Sequence, residues 1–207
     1  MKKVILLGAP GAGKGTQAEI ISKNFNIPKL STGDMLRVEI AKKSQLGQKI
    51  EKIVNSGEFV SDDIMIQIIE SRIAESDCKE GFILDGFPRT YDQCTALDKL
   101  LGTAKDLYVI ALKVDEEEIV TRVSGRYTCK QCGAGYHKNF NRTKHEGICD
   151  VCGGKEFIER EDDKPEAVRK RIEVYRQKYT PVIEHYRSIG LLNEFDGMKP
   201  IRDVSLE

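Results

Sequence analysis

The feature that most constrains this chain lies at its start. A short apolar run, Val4, Ile5, Leu6 and Leu7, breaks into Gly8, Ala9, Pro10, Gly11, Ala12, Gly13, Lys14, Gly15 and Thr16. A buried strand that passes through a glycine-rich turn into a helix start (Gln17, Ala18, Ile20, Ile21) is the setting of a phosphate-binding loop. The glycines let successive N–H groups turn inward onto a polyphosphate, and the following helix presents its positive end there. Lys14 reaches the outer phosphates. The position after Lys14 is Gly15, so the hydroxyl of the loop is displaced to Thr16.

The chain has 207 residues, enough for one well-buried domain with insertions. The apolar run after Lys3 is too short for a signal peptide or a membrane span, so a cytoplasmic protein without a membrane partner is expected. Thirty-three Lys and Arg balance 33 Asp and Glu. That excludes a broad electrostatic footprint for nucleic acid and leaves anion binding to local clusters. Six cysteines in a chain of this kind argue against a disulfide framework, and Cys78 and Cys94 read as reduced core or near-surface thiols.

Past the first helix, residues 27–30 predict a second short strand, and Ser31, Thr32, Gly33 and Asp34 have the spacing of a helix capping box. Leu46, Ile50, Ile53 and Val54 keep helical period as far as a stop at Gly57, and Ser61-Asp62-Asp63 opens the next helix. Residues 81–85 form an apolar run closing on Asp85, where a strand-end carboxylate faces magnesium in phosphate-loop proteins. Arg89 follows on the usual ligand edge of a parallel sheet. Residues 107–114 predict a strand buried on both faces, with Asp115 and Glu118 starting a helix. Strands alternating with helices imply a parallel α/β sheet.

From residue 125 to about 163 the periodicity vanishes. Cys129 and Cys132, then Cys149 and Cys152, form two Cys-x-x-Cys knuckles, a pattern that folds onto one tetrahedral zinc ion and clamps a segment too short for its own core. Residues 160–165 predict a helix start with a carboxylate cap and Pro165 in the first turn. Val168, Ile172, Tyr175 and Tyr179 mark that helix's buried face, with Arg171 directed along the core edge and Lys170 toward solvent. Residues 191–195 predict the last strand.

Taken in order, Gly8 to Thr16, Ser31 to Arg37 (STGDMLR), Asp85 to Thr90 (DGFPRT), Gln93, Gly125 and Arg126, the four cysteines, Arg160 with Asp162 and Asp163, and Arg171 make the chain resemble the bacterial adenylate kinases over essentially its whole length. The resemblance implies an α/β fold: a doubly wound parallel sheet of about five strands in a P-loop core (1–30, 61–125 and 164–207), a small helical nucleoside-monophosphate domain (31–60) and a zinc-bearing lid (126–163). It implies reversible transfer of the γ-phosphoryl group of ATP to AMP, giving two ADP, with Mg2+ and a structural Zn2+, in a chain expected to be a monomer.

Carried over by position, Gly11, Ala12, Gly13, Lys14, Gly15 and Thr16 would hold the ATP phosphates. Tyr136 would lie beside ATP, and the Lys199 carbonyl would meet its adenine. Thr32, Arg37, Val60, Gly86, Arg89 and Gln93 would receive AMP. Arg126, Arg160 and Arg171 would close over the phosphates, with Asp85 near the metal. Glu58 puts an acid where the monophosphate domain approaches AMP, and the tail ends early, at Glu207. The alternatives are a kinase of UMP or CMP, with the same loop and arginines, or a non-catalytic zinc-bearing nucleotide module.

Overall fold

The computed structural model describes residues 2–56, 58, 60–102 and 106–206. In chain order the first elements are β1 (Lys2–Gly8), α1 (Lys14–Phe25), β2 (Lys29–Ser31), α2 (Thr32–Ala41), α3 (Gln45–Asn55), α4 (Asp62–Ile73), β3 (Gly81–Asp85), α5 (Tyr91–Leu101) and β4 (Leu107–Lys113). They are followed by α6 (Glu116–Ser124), β5 (Arg126–Cys129), β6 (Gly135–His137), β7 (Phe157–Ile158), α7 (Pro165–Ser188), β8 (Leu192–Asp196) and α8 (Ile201–Leu206).

Five strands form one sheet in the order β2-β3-β1-β4-β8, every neighbouring pair parallel. β1 sits in the middle because its apolar residues are needed on both faces. Alternate side chains of a strand point to opposite sides. Ile5 and Leu7 accordingly join Leu84, Phe87, Cys94, Val109 and Tyr186 on one side, while Val4 and Leu6 meet Ala18, Ile27 and Ile83 under α1 on the other. A third cluster, Ile119, Val123, Val168 and Ile172, packs α6 against α7. Helices therefore cover both faces, as in a doubly wound α/β sheet. Register aligns Ser31 and Leu6 with Asp85, so three strand ends open onto one edge, the edge at which such sheets bind ligands.

Two local expectations are corrected, at β4 and at the start of α7. The stretch beginning at Ser31 is helical and holds two helices. The chain breaks at Lys43, whose φ is 52°, and Ser44 restarts it by accepting the Gly47 amide at 3.0 Å. Gly47 fits there because a β-carbon would stand 2.5 Å from the Glu39 carbonyl oxygen of the antecedent helix. The stop expected at Gly57 lies outside the described residues. β4 is not covered throughout on both faces, since Tyr108 is 49 % exposed. The cap of α7 is Lys164, with no side-chain capping bond. The carboxylates expected to cap this helix turn to arginines instead, and Asp163 belongs to a short 3-10 turn, Glu161–Asp163.

The capping bond expected at Ser31 is present, with its hydroxyl accepting the Asp34 amide at 3.3 Å. Cys78 and Cys94 are buried thiols. Residues 126–158 carry a separate antiparallel sheet in the order β6-β5-β7. No described helix is long and apolar enough to cross a membrane.

Candidate active site

The open edge of the parallel sheet leads into a cleft of about 900 Å³. One wall is the loop between β1 and α1. Gly13 caps α1 with φ 94°, and no side chain occupies the first turn's free amides, which leaves them and the helix dipole for an anion. Lys14 folds back over the loop and donates to the carbonyls of Gly8 and Ala9, both at 2.8 Å. Burial lowers its pKa to about 8, with Arg89, Arg171 and Arg126 pushing in the same direction and Asp85 opposing them. A polyphosphate entering here would meet a cation whose pKa burial and the surrounding arginines have lowered.

The second wall holds the arginines. Arg89 donates from Nε to the Gly86 carbonyl at 2.7 Å and approaches the Thr32 hydroxyl at 3.5 Å. Burial and then the charge of Arg171 lower its pKa to about 10. Gly86 has φ 84°, and a β-carbon on it would stand 2.8 Å from both the Arg89 guanidinium and the Thr32 hydroxyl, so only glycine lets these two side chains meet. Thr32 Oγ1 donates to the Gly86 carbonyl at 3.1 Å. Arg37 pairs with Asp34, which also lies 3.9 Å from Arg160. Burial lowers the Arg160 pKa to about 10, with Arg126 and Arg37 adding to the effect.

Asp162 and Asp163 hold the remaining two arginines. Arg126 makes a forked pair with Asp163, its Nε donating at 2.8 Å. Arg171 donates to the Asp162 carbonyl at 2.9 Å and lies 3.0 Å from the Asp162 carboxylate and 3.4 Å from that of Asp163. Burial lowers Arg171; at Arg126 burial is also the largest single effect, but the bond to Asp163 and the charges of Asp163, Asp162 and Asp85 together exceed it and raise the pKa. Two carboxylates thus hold both guanidiniums in place before any phosphate arrives. Each fork keeps N–H donors beyond those used.

Every nucleotide-site residue read from the sequence lines this one cleft: the loop from Gly11 to Thr16, Asp85, the five arginines 37, 89, 126, 160 and 171, Thr32, Val60, Gly86, Gln93, Tyr136 and Lys199. The Tyr136 hydroxyl is held on the side of the cysteine cluster. It lies 3.3 Å from Cys149 Sγ and accepts the Asp150 amide at 2.8 Å. Asp85 Oδ2 would lie 3.4 Å from a β-carbon on Gly15, so its carboxylate faces the loop just after Lys14, a hard oxygen donor suited to a magnesium ion or its waters.

Sequence reasoning missed three participants. Arg122 lines the cleft, bonds the Gly197 carbonyl at 2.8 Å and sits 5.9 Å from the Phe140 ring centroid. Gln17 donates to the Ile201 carbonyl at 3.0 Å and accepts from Ser205 Oγ at 2.9 Å, tying the short C-terminal helix to α1. Asp62 binds Gln93, as described below. Glu58, which had no expected role, pairs with Lys170 at 2.7 Å. Gln17 and Asp62 read in the sequence only as parts of helix starts, and only the fold brings each of the four to its partner.

The four knuckle cysteines converge outside the cleft. Their sulfurs all lie within 4.8 Å of one another, with Cys129 to Cys152 at 3.6 Å and Cys132 to Cys149 at 3.5 Å. A tetrahedron with metal–sulfur bonds of about 2.3 Å has edges of about 3.8 Å, so the donor set fits one zinc ion. The local packing around it is small: Tyr127, Tyr136 and Phe157, in mutual ring contact at 5.3–5.7 Å.

Comparison with known proteins agrees with this geometry. A family model described as adenylate kinase matches residues 6–191. The chain is 50 % identical over 205 residues to an adenylate kinase of Lachnospira eligens, covering 98 % of this chain and 95 % of that one. It is 49 % identical over 208 residues to an adenylate kinase of Caldicellulosiruptor bescii, covering 99 % and 96 %. With an adenylate kinase of Streptococcus thermophilus it shares 47 % over 205 residues, covering 97 % and 94 %.

Proposed function

The chain belongs to the adenylate kinase family, which makes it a nucleoside-monophosphate kinase converting ATP and AMP into two ADP, and we propose that the single cleft described above binds both nucleotides through the residues that line it. The observation that carries this assignment is convergence. Lys14 and six arginines, drawn from residues 14 to 171, face one space of about 900 Å³, at the upper end for a small-molecule site.

In this reading Gly11 to Thr16 cradle the ATP phosphates through backbone amides, and Lys14 leaves the loop carbonyls for the outer phosphates. The adenine of ATP lies toward Lys199, Arg122 and His137, with Tyr136 behind it. AMP occupies the opposite end, its base at Gln93 and Val60 and its phosphate between Arg37 and Arg89. The attacking phosphate oxygen already carries charge near neutral pH, so no general base is required. The work is alignment and stabilisation of equatorial oxygens. The Arg89 guanidinium at the sheet edge supplies it together with Arg126, Arg160 and Arg171, whose carboxylate partners hold them in place. Asp85 would hold Mg2+, directly or through water, and the ion would neutralise charge between the phosphates.

Residues 31–60 would act as the monophosphate domain, 126–163 as the lid, and 1–30, 61–125 and 164–207 as the core. Cys129, Cys132, Cys149 and Cys152 would hold Zn2+ as a structural ion, since four thiolates leave no open coordination position. Six unpaired cysteines support a reducing, cytoplasmic setting. A coupled assay with AMP, UMP and CMP in turn tests the assignment. AMP should be preferred by at least tenfold in kcat/KM, and a preference for a pyrimidine monophosphate would overturn the placement of AMP at Gln93.

A further inference from the structure

Gln93 is 2 % exposed, and both ends of its amide are engaged by groups of fixed polarity. Its Oε1 accepts the Arg89 backbone N–H at 2.7 Å, and its Nε2 donates to Asp62 Oδ1 at 2.7 Å. The second Asp62 oxygen accepts the Thr90 hydroxyl at 2.7 Å, and Thr90 Oγ1 accepts the Gln93 backbone N–H at 3.2 Å. Asp62, Thr90 and Gln93 therefore close a ring that joins the start of α4 to the start of α5. A backbone amide can only donate and an ionised carboxylate can only accept. Turning the Gln93 amide over would set N–H against N–H at Arg89 and oxygen against oxygen at Asp62.

The geometry points to Asp62 as a positioning residue that sets the base specificity of the monophosphate site by locking the orientation of the Gln93 amide. This rests on the reading that places the monophosphate base at Gln93. With Arg89 and Asp62 satisfied, the amide retains one lone pair on Oε1 and one N–H on Nε2. Adenine offers the complement, an amino donor at C6 and an acceptor at N1. Hypoxanthine offers the reverse, an acceptor at C6 and a donor at N1, which the amide could meet only in the blocked orientation. A site built to hydrogen-bond one pattern rejects its inverse strongly because buried polar groups are then left unpaired.

Asp62→Asn keeps the shape of the side chain but gives it both a donor and an acceptor, so either amide orientation finds a partner. The test measures dissociation constants of AMP and IMP by calorimetric titration, and kcat and KM for AMP, in wild type, Asp62→Asn and Gln93→Ala, with melting temperature as a folding control. The expected result for Asp62→Asn is a fall of at least tenfold in the AMP-over-IMP affinity ratio, carried by weaker AMP and stronger IMP binding. It should appear in KM rather than kcat and leave the KM for ATP unchanged. A ratio within threefold of wild type overturns the role of Asp62, as does equal weakening of both monophosphates, the mark of a merely structural residue. If Gln93→Ala also keeps the wild-type ratio, the base does not rest on Gln93, and the underlying assignment fails. If Gln93→Ala loses the ratio while Asp62→Asn keeps it, only the lock fails.

Discussion

Cys149→Ser tests how far the segment 126–163 depends on its cysteine cluster. The Cys149 sulfur is buried, stands 3.5 Å from Cys132 Sγ and receives the approach of the Tyr136 hydroxyl, so its loss removes one corner of the tetrahedron and one wall of the aromatic cluster. The rest of that cluster is three ring pairs among Tyr127, Tyr136 and Phe157. At about 0.5–1.5 kcal/mol per pair they offer far less than the about 10–16 kcal/mol apparent binding energy of a structural zinc site. The segment should therefore hold about one zinc in wild type and little in the variant, and its amide hydrogens should exchange at least about a hundredfold faster, equivalent to about 2.7 kcal/mol of local stability.

The parallel sheet should keep its protection, because its clusters contain none of these residues. Turnover should approach wild type in the cold and fall away on warming, as the segment melts before the core and no longer brings Arg126 and Arg160 to the phosphates. Zinc content, exchange by mass spectrometry and turnover from 10 to about 50 °C are the measurements. A variant that keeps its zinc and wild-type exchange would refute the reasoning. So would chelation that abolishes turnover in the cold while the segment stays protected, since the ion would then act on the chemistry.

Two further outcomes follow from the charges in the cleft. Arg89→Ala removes a fork held by the Gly86 carbonyl at the sheet edge and should lower kcat by about a hundredfold or more with the melting temperature nearly unchanged, whereas an unfolded variant would make Arg89 a structural residue. Lys14, lowered to about 8 by burial, must be protonated to meet ATP, and bound phosphates raise its pKa again. ATP affinity should then be full below pH 7 and weaken roughly fivefold between pH 8 and 9, a dependence that calorimetry should find absent in Lys14→Met. The sign for stability runs the other way. A depressed ammonium costs the free protein stability at neutral pH, and that cost is relieved as pH rises from about 8 toward 10.5.

Much of this site is written in local sequence, and the remainder could not be. The loop from Gly8 to Thr16 is legible because glycine spacing, Lys14 and the preceding apolar run act within one turn of chain. The cysteine cluster is legible because two matched knuckles imply a shared ion, whatever lies between them. The carboxylates at 162 and 163 read locally as a helix cap, since nothing nearby in sequence reveals that Asp163 pairs with Arg126, 37 residues earlier. Gln17 bonds the chain at residue 201, and Glu58 meets Lys170 across 112 residues. Such contacts arise from the order in which strands enter the sheet, which periodicity does not encode. The break at Lys43 has no glycine or proline at its centre; it shows in the positive φ of Lys43, the Ser44 cap and the close approach of Gly47 to Glu39.

If two nucleotides share one cleft, the phosphoryl group passes between them directly. Phosphorus NMR of the purified protein with Mg2+, ATP and AMP tests it in one sample. The account predicts two ADP for each AMP consumed, approach to the same equilibrium from ADP alone, and negligible release of inorganic phosphate when AMP is omitted. Release of inorganic phosphate at the same rate with and without AMP would contradict it.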